Sequence, residues 1–282
     1  YKSVVVKCIS LNQPPKHPRG WNTTNSHNRK IKSYQVETNW YENWSHFCND
    51  YCKTPQFIGS FYQEKNQWII LEDLKTNFPL IKHQINESEL KVCLKWLANF
   101  HGIFLNKKPE GLWEIGTYWN LKTRPEEFEK IEHLELKAKA HKINKILNQC
   151  NYQTLVHGDA KVANFCFSNP STNLGSEKVA GVDFQYVGGG CGMKDVAYFL
   201  GSCLSGSECE LYQNELLDYY FLELEKTIKI SNLDFKELEQ EWRKLYPMAC
   251  ADFTRFLLGW MPTHSKINNY NLDLMERILS EI

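Results

Sequence analysis

The spacing of hydrophobic residues divides the chain into a short sheet-forming part and a longer helix-forming part. Residues 3–9, Ser-Val-Val-Val-Lys-Cys-Ile, are dense in β-branched side chains and predict a buried strand in the middle of a sheet. Asn12 to Asn28 is rich in proline, asparagine and glycine, which predicts a long irregular loop. From Lys30 to Tyr51 the hydrophobic residues recur at helical spacing, which predicts a helix.

Two short runs of strand-forming residues follow this predicted helix. Phe57 to Tyr62 and Gln67 to Leu71 are joined by a polar turn, the pattern of a β-hairpin. With the first strand and the helix they predict a small α+β unit. Its boundary is expected at Glu72 to Thr76.

Helical patterns dominate the remainder of the chain. Glu87 to Leu105 and Glu126 to Gln149 predict two amphipathic helices. A short strand-rich island, Thr154 to Phe167 and Val179 to Phe184, interrupts them, and helices are expected from there to the C-terminal residue. We expect the glycine-rich segment 188–192 to be a flexible loop near the substrate.

Composition excludes several functional classes. The 33 basic and 33 acidic residues of the 282-residue chain balance, so no polycationic field favours nucleic acid or an acidic membrane surface. No apolar stretch approaches the about 18 to 20 residues needed to cross a bilayer, and no export signal is visible. The ten cysteines are dispersed, which favours reduced thiols, and the Cys48 and Cys52 pair lacks further zinc ligands at suitable spacing. These features predict a cytoplasmic protein.

The strand-rich island carries the most informative polar residues. A hydrophobic strand leads into His157-Gly158-Asp159, Lys161 and Asn164, and a second apolar strand ends at Asp183. Phosphoryl transfer needs a carboxylate that accepts the proton of the attacking hydroxyl, and an amide and a second carboxylate that hold Mg²⁺ on nucleotide phosphates. We therefore assign Asp159 as the base and Asn164 and Asp183 as magnesium ligands. Lys161 would stabilise charge on the transferring phosphoryl group.

These motifs resemble a known superfamily. His157-Gly158-Asp159 with Asn164, followed by Asp183-Phe184-Gln185, is similar to the aminoglycoside phosphotransferase and choline kinase branch of the protein-kinase-like superfamily. With Asp195-Val196-Ala197-Tyr198 downstream, it most resembles the ecdysteroid-kinase-like and choline-kinase-like group. Protein kinases usually carry Arg at the position of Gly158 and Gly at the position of Gln185, so they are less similar.

The resemblance implies a fold, a reaction and a division into lobes. The expected fold is α+β and bilobal, with a small N-lobe of sheet plus one helix and a larger, mainly helical C-lobe. Residues 1–74 would bind the nucleotide, and residues 75–282 would carry catalysis and the acceptor. The implied reaction is ATP- and Mg²⁺-dependent transfer of the γ-phosphoryl group to a hydroxyl of a small molecule.

The resemblance also implies nucleotide-binding residues in the N-lobe. Lys7 stands where the family's strand lysine contacts the α- and β-phosphates, and Glu37 fits the helix glutamate that pairs with it, with Glu42 as the competitor. Glu72, Asp73 and Leu74 would form the hinge, whose backbone groups bond the adenine edge. The family's first two strands would precede Lys7, so we expect upstream residues in the natural protein.

The acceptor is expected against the C-terminal helical region, which lines the acceptor pocket in related small-molecule kinases. Asp252, Arg255 and Trp260 are the candidates there. Aromatic rings with an acid would receive a quaternary ammonium such as choline by cation–π attraction, and the same rings would pack on a steroid, a sugar or an aminoglycoside. The residues leave this choice open.

Two other functions compete with a small-molecule kinase. The first is a catalytically idle nucleotide-binding protein or scaffold, suggested by the phosphate-covering loop that does not precede Lys7 in this sequence. The second is a protein kinase, which would need an extended peptide groove. His157 and Asp195 are expected to brace the loop, and His101 to be a hydrogen-bonded core histidine.

Overall fold

The computed structural model of the protein describes residues 3–10, 24–169, 177–228 and 233–282. Its strands are β1 (Val4–Ser10), β2 (Phe57–Gln63), β3 (Asn66–Glu72), β4 (Leu80–Ile81), β5 (Thr154–Val156), β6 (Phe165–Phe167), β7 (Val179–Gly181) and β8 (Gly188–Gly190). Its α-helices are α1 (Thr24–Asn43), α2 (Glu87–Ile103), α3 (Pro125–Glu129), α4 (Leu134–Asn148), α5 (Met193–Cys203), α6 (Gly206–Thr227), α7 (Phe235–Trp260) and α8 (Asn269–Glu281). The chain is therefore mixed α+β with small sheets and mostly helix after β4, as predicted.

The N-terminal sheet is antiparallel, in the order β1-β3-β2. The predicted β2–β3 hairpin is confirmed, and Glu64 takes a positive φ of 54° in its turn. The prediction that β1 is a buried central strand was wrong for the described residues. Within them β1 pairs only with β3, and Val4, Val5 and Val6 are 44%, 47% and 49% exposed because one edge and much of one face lack a covering element.

Helix α1 packs behind this sheet and differs from the prediction at both ends. It begins at Thr24, within the predicted loop, and Arg29 in its second turn donates to the Thr123 carbonyl at 2.7 Å, which holds this end of the helix against a distant segment. Residues 12–23 of that loop lie outside the described part of the chain. The helix ends at Asn43 rather than Tyr51, because the Trp44 indole turns to donate to the Glu110 carbonyl at 3.1 Å.

The helices after β4 largely follow the apolar periodicity. Asn86 and Glu89 form a capping box that starts α2 at the predicted residue. The predicted helix from Glu126 to Gln149 is broken into α3 and α4. Gly259 of α7 lies so close to the Glu127 carbonyl that a Cβ there would be 1.9 Å away, so α3 packs directly against the backbone of α7.

Two small sheets position the polar loops that the sequence singled out. One has the order β4-β6-β7 and the other pairs β5 with β8. The prediction of a flexible loop at 188–192 was wrong, because Gly188–Gly190 forms β8 in register with Thr154–Val156. A Cβ on Gly188 would meet the Trp113 carbonyl at 2.2 Å, so glycine is required by close backbone packing.

The main hydrophobic core joins α1, the face of β3 and the helices of the larger part. A second cluster contains mainly aromatic side chains: Trp119, Tyr198, Phe253, Phe256 and Leu257, with Tyr118, Trp260 and Ile267 packed against it. All ten cysteines are free thiols, as predicted. Among the described helices, none has the length and apolarity that a bilayer crossing requires.

Candidate active site

The loop after β5 is held by a buried carboxylate of α5. Asp195 accepts hydrogen bonds from the backbone N–H groups of His157 and Gly158, at 2.5 and 2.9 Å. The Nε2 atom of His101 lies 3.1 Å from the same carboxylate, and its Nδ1 lies 2.8 Å from the Tyr220 hydroxyl. Asp195 and His101 are both fully buried. This arrangement agrees with the predicted bracing and core roles.

Gly158 has a backbone conformation that this loop requires. Its φ is +80°, and a Cβ at this position would lie 2.1 Å from the Tyr186 carbonyl oxygen. Glycine is the residue that enters the left-handed region without steric cost. Gly158 therefore lets the loop pass directly against the backbone of Tyr186.

Asp159 lies at the centre of a group of hydrogen-bond donors. Its Oδ2 accepts from Lys161 Nζ at 2.9 Å and from Asn164 Nδ2 at 3.0 Å, and its Oδ1 accepts from the Tyr198 hydroxyl at 3.0 Å. The residue is 8% exposed, while the Lys161 side chain is 40% exposed. An ionised carboxylate has about four acceptor positions. Three are filled by donors, and one has no donor among the described residues.

The two predicted magnesium ligands come from adjacent loops. The Val182 N–H donates to the Asn164 carbonyl at 3.0 Å, which joins the end of β7 to the residue before β6. His157 Nε2 also lies 3.0 Å from the Val182 carbonyl. Asp183 follows with a positive φ of 68°. The sequence spacing alone did not establish that these two loops are hydrogen-bonded to each other.

One side-chain oxygen of Asp183 bears on whether a metal ion fits this site. Its Oδ1 is buried and has no hydrogen-bond partner. A buried carboxylate oxygen without a donor is unfavourable unless a cation satisfies it. No cluster of three or more His, Cys, Asp or Glu side chains occurs in the described residues. Mg²⁺ needs few protein ligands because it keeps water and phosphate oxygens, so one amide and one carboxylate fit it.

Lys7 and Glu37 form the ion pair that the resemblance implied. Lys7 Nζ lies 2.5 Å from Glu37 Oε2 and 5.6 Å from the centre of the Tyr34 ring. Burial raises the pKa of Glu37, an effect that Lys7 opposes and that nearby Asp183 adds to. The competitor, Glu42, instead accepts a hydrogen bond from Ser60 of β2. The geometry therefore pairs Lys7 with Glu37.

The Asp183-Phe184-Gln185 segment connects this ion pair to the loops. The buried Phe184 ring stacks on Trp40 of α1, with centroids 4.5 Å apart and planes inclined by 16°. Gln185 accepts a hydrogen bond from Ser33 of α1 at 3.3 Å, and its side chain also bonds Glu37. Helix α1 and the Asp183 loop are thus one packed unit. The sequence did not predict that Trp40 and Gln185 connect α1 to this loop.

The side chains of the predicted hinge residues contact other residues of the protein. Glu72 pairs with Lys53 at 2.7 Å, and Asp73 accepts from the Ser3 hydroxyl at 2.7 Å and from the Lys75 N–H at 2.9 Å. Leu74 is buried with Cys166 and Ala180. Nothing in these side-chain contacts identifies an adenine site, so the hinge role stays a prediction that concerns backbone groups.

Asp252 and Arg255, which were predicted to contact the acceptor, form a buried ion pair with each other. Arg255 Nε donates to Asp252 Oδ1 at 2.9 Å, and the Trp119 indole donates to Asp252 Oδ2 at 3.0 Å. Arg255 is fully buried and Asp252 is 3% exposed. Trp260 stacks on Phe256 with ring centres 5.6 Å apart. Asp252 is connected to Asp159 through Trp119, whose ring centre lies 5.1 Å from that of Tyr198.

Aromatic side chains that the sequence did not single out border Asp159. The Tyr198 ring lies 4.9 Å from Phe253 and 5.6 Å from Tyr118. Lys266, between α7 and α8, places its Nζ 4.9 Å from the Tyr198 ring centre and 5.7 Å from that of Phe253. For Tyr198 a signal existed, its position three residues after Asp195. For Lys266 none did, because its place depends on how α7 and α8 pack.

Comparisons with known proteins agree with the resemblance seen in the motifs. The model of the ecdysteroid kinase-like family matches residues 104–233, which include Asp159, Lys161, Asn164 and Asp183. The solved structure of an ethanolamine kinase from Plasmodium vivax matches with a TM-score of 0.50 at 12% identity, over 88% of this chain and 71% of that chain. A search of curated proteins finds no match. The protein has a kinase-like fold and is similar to the ecdysteroid kinase-like family over the matched range.

Proposed function

We propose that this protein is a small-molecule kinase that transfers the γ-phosphoryl group of ATP to a hydroxyl group of its acceptor. The observation that carries this proposal is the environment of Asp159, which accepts from Lys161, Asn164 and Tyr198 and retains one acceptor position. The similarity to the ecdysteroid kinase-like family and the fold shared with an ethanolamine kinase support the same class of reaction. An ATP-dependent reaction also fits the predicted cytoplasmic location.

Each group of the site has a chemical part in this proposal. Asp159 accepts the proton of the acceptor hydroxyl while the hydroxyl oxygen forms a bond to the γ-phosphorus and the bond to the bridging oxygen of ADP breaks. Lys161 lies beside Asp159 and stabilises the negative charge of the transferring group. Lys7, held by Glu37, would bind the α- and β-phosphates.

Asn164 and Asp183 would hold Mg²⁺, which when bound neutralises charge on the phosphate oxygens. Support comes from the unpartnered Oδ1 of Asp183 and from the Asn164 amide, whose N–H₂ points to Asp159 and leaves its oxygen for a cation. The backbone bond between Val182 and Asn164 keeps both loops in register. The backbone of residues 72–74 would bind the adenine edge.

The acceptor is a small alcohol, with choline-like, aminoglycoside-like, sugar-like and steroid-like compounds as the classes to test. Neither nucleic acid nor a membrane is required by this proposal. The alternative is a nucleotide-binding protein without turnover. It retains ATP binding and lacks phosphoryl transfer, so binding and turnover have to be measured separately.

The test is a screen of Mg²⁺-dependent ATP consumption by the full-length protein over choline, ethanolamine, aminoglycosides, sugars, nucleosides and hydroxysteroids. Asp159→Asn should lower turnover by about 10²- to 10⁴-fold and leave ATP binding largely intact, because the base acts on the transition state. Asp273→Asn, at an exposed position of α8, is the matched control and should keep full activity. Equal turnover in Asp159→Asn contradicts the assignment, and ATP binding without turnover supports the idle alternative.

A further inference from the structure

The aromatic cluster beside Asp159 already contains a cation of the protein itself. Lys266 Nζ lies over the Tyr198 and Phe253 rings at 4.9 and 5.7 Å, distances at which cation–π attraction acts. The Tyr198 hydroxyl is in turn bonded to Asp159 Oδ1 at 3.0 Å. The ammonium therefore occupies an aromatic face one residue away from the proposed base.

Lys266 differs from the other cation on this cluster. Arg124 lies 5.5 Å from the Phe256 ring centre and 5.8 Å from that of Tyr118, but it also pairs with Glu127 at 3.0 Å. Lys266 has no carboxylate partner in any ion pair among the described residues. Its charge is thus not neutralised by a direct contact, and it acts on whatever approaches the same rings.

The backbone of Lys266 is held in place, so the position of the side chain is not accidental. Its N–H donates to His264 Nδ1 at 3.1 Å, and its carbonyl accepts from Asn271 Nδ2 at 2.9 Å. These two bonds connect the residue to the segment after α7 and to the first turn of α8. The ammonium is consequently presented to the rings by a turn that is fixed on both sides.

The acid expected to attract a cationic acceptor does not compensate for this charge. Asp252 is bonded to Arg255 and to the Trp119 indole, and it is 3% exposed. Its negative charge is matched inside the protein by a fully buried guanidinium. A quaternary ammonium that approached the aromatic cluster would therefore meet the Lys266 ammonium, while the nearby Asp159 carboxylate is already bonded to Lys161, Asn164 and Tyr198.

We infer that Lys266 is a specificity-determining residue that occupies the aromatic cluster beside Asp159 and excludes cationic acceptors, so that the acceptor is an uncharged or anionic alcohol. The inference rests on the proposed function in one respect, that the acceptor hydroxyl binds at Asp159. Burial lowers the pKa of Lys266 to about 8, with Asp159 and Cys203 opposing and Lys161 adding to this effect. The ammonium is thus still mainly protonated at pH 7.

The test compares choline with its uncharged isostere, in which a tert-butyl group replaces the trimethylammonium group. Calorimetric titration of the full-length protein at pH 7 should give weaker binding of choline than of the isostere. Lys266→Ala should bind choline at least about tenfold more tightly than the wild type, because the rings are freed for a ligand cation. Lys266→Arg keeps the charge and should behave as the wild type.

Lys236→Ala is the matched control, since Lys236 is exposed near the start of α7, more than about 30 Å along the helix from Trp260. It should leave both affinities unchanged. If Lys266→Ala is destabilised, Lys266→Met removes the charge while keeping most of the chain length. The inference is overturned if the wild type prefers choline to the isostere, or if a folded Ala or Met variant binds choline no better than the wild type.

These binding measurements need no phosphoryl transfer, so they separate the inference from the proposed function. Turnover of uncharged and anionic acceptors, measured in parallel with Asp159→Asn, tests the reaction itself. Choline discrimination that depends on Lys266 in a protein without turnover would support the inference and contradict the proposed function. Turnover with choline as the preferred acceptor would support the proposed function and overturn the inference.

Discussion

Two aspartates, the half-buried Asp183 and the buried Asp252, differ in what their side-chain oxygens contact. Asp252 accepts hydrogen bonds from Arg255 and Trp119, so both of its oxygens have protein donors. Asp183 has a buried oxygen with no donor, in a residue with a positive φ. Both oxygens of Asp252 are satisfied inside the protein, whereas the buried Oδ1 of Asp183 would gain a partner only from a bound cation or another ligand.

The largest effect on stability is expected at the ion pair of Asp252 and Arg255. Asp252→Ala leaves the Arg255 guanidinium buried without a counter-charge, so the free energy of unfolding should fall by about 3 to 5 kcal/mol. Urea denaturation at neutral pH measures it. Asp273→Ala, on the exposed side of α8, is the control and should stay within about 0.5 kcal/mol of the wild type. A loss no larger than in that control would mean that Asp252 is not structurally required.

The opposite pattern is expected at Asp183. Asp183→Asn should lower Mg²⁺-dependent turnover by about 10²- to 10³-fold, since it removes the charge that would hold the cation. The free energy of unfolding should not decrease, because the buried oxygen loses no hydrogen bond. Initial rates over a magnesium titration and urea denaturation provide the two measurements. Unchanged turnover, or a loss of stability like that of Asp252→Ala, would remove the distinction between the two aspartates.

A smaller, pH-dependent effect is expected at the Lys7 and Glu37 pair. Burial raises the pKa of Glu37 above its unfolded value, so its contribution to stability is full at pH values below the unfolded pKa and is lost as the pH rises through the folded pKa. Lys7 opposes this shift. Lys7→Met should therefore move the folded pKa further up and lower the free energy of unfolding by about 1 kcal/mol at pH 7.

Urea denaturation between pH 4 and pH 8 checks this effect. The loss in Lys7→Met should grow as the pH rises, and the double variant Lys7→Met/Glu37→Gln should remove most of that growth because no carboxylate remains to titrate. A pH-independent loss in Lys7→Met would indicate that Lys7 stabilises the fold through its contact with the Tyr34 ring instead.

The fold could be predicted from the sequence where one element depends mainly on its own residues. The β2–β3 hairpin and the start of α2 were predicted at nearly the observed bounds, because a polar turn and the helical spacing of apolar residues are local signals. The division into lobes at residue 74 stays a prediction. The bounds of α1 and the break between α3 and α4 were missed. The contacts at these places, Arg29 with the Thr123 carbonyl and Gly259 with the Glu127 carbonyl, join residues that are far apart in the chain.

The candidate site divides in the same way. Asp159, Asn164 and Asp183 were found because their spacing after apolar strands is a chain-local pattern, and Lys7 and Glu37 because of the resemblance. Tyr198 and Lys266 come from α5 and from the turn before α8, and their meeting beside Asp159 depends on helix packing. The pairing of Asp252 with Arg255 was missed because a sequence does not show which buried charges face each other.

The sequence by itself therefore predicted the type of chemistry, since the carboxylates, the amide and Lys161 that phosphoryl transfer would use stand at short, characteristic separations. Only the tertiary structure decided which of these groups have an unfilled hydrogen-bond acceptor position and which charges are paired within the protein. It also decided which cation lies over the aromatic rings near the proposed base. The physical reason is that hydrogen-bond satisfaction and charge neutralisation depend on distances of a few ångströms between segments that are far apart in the chain.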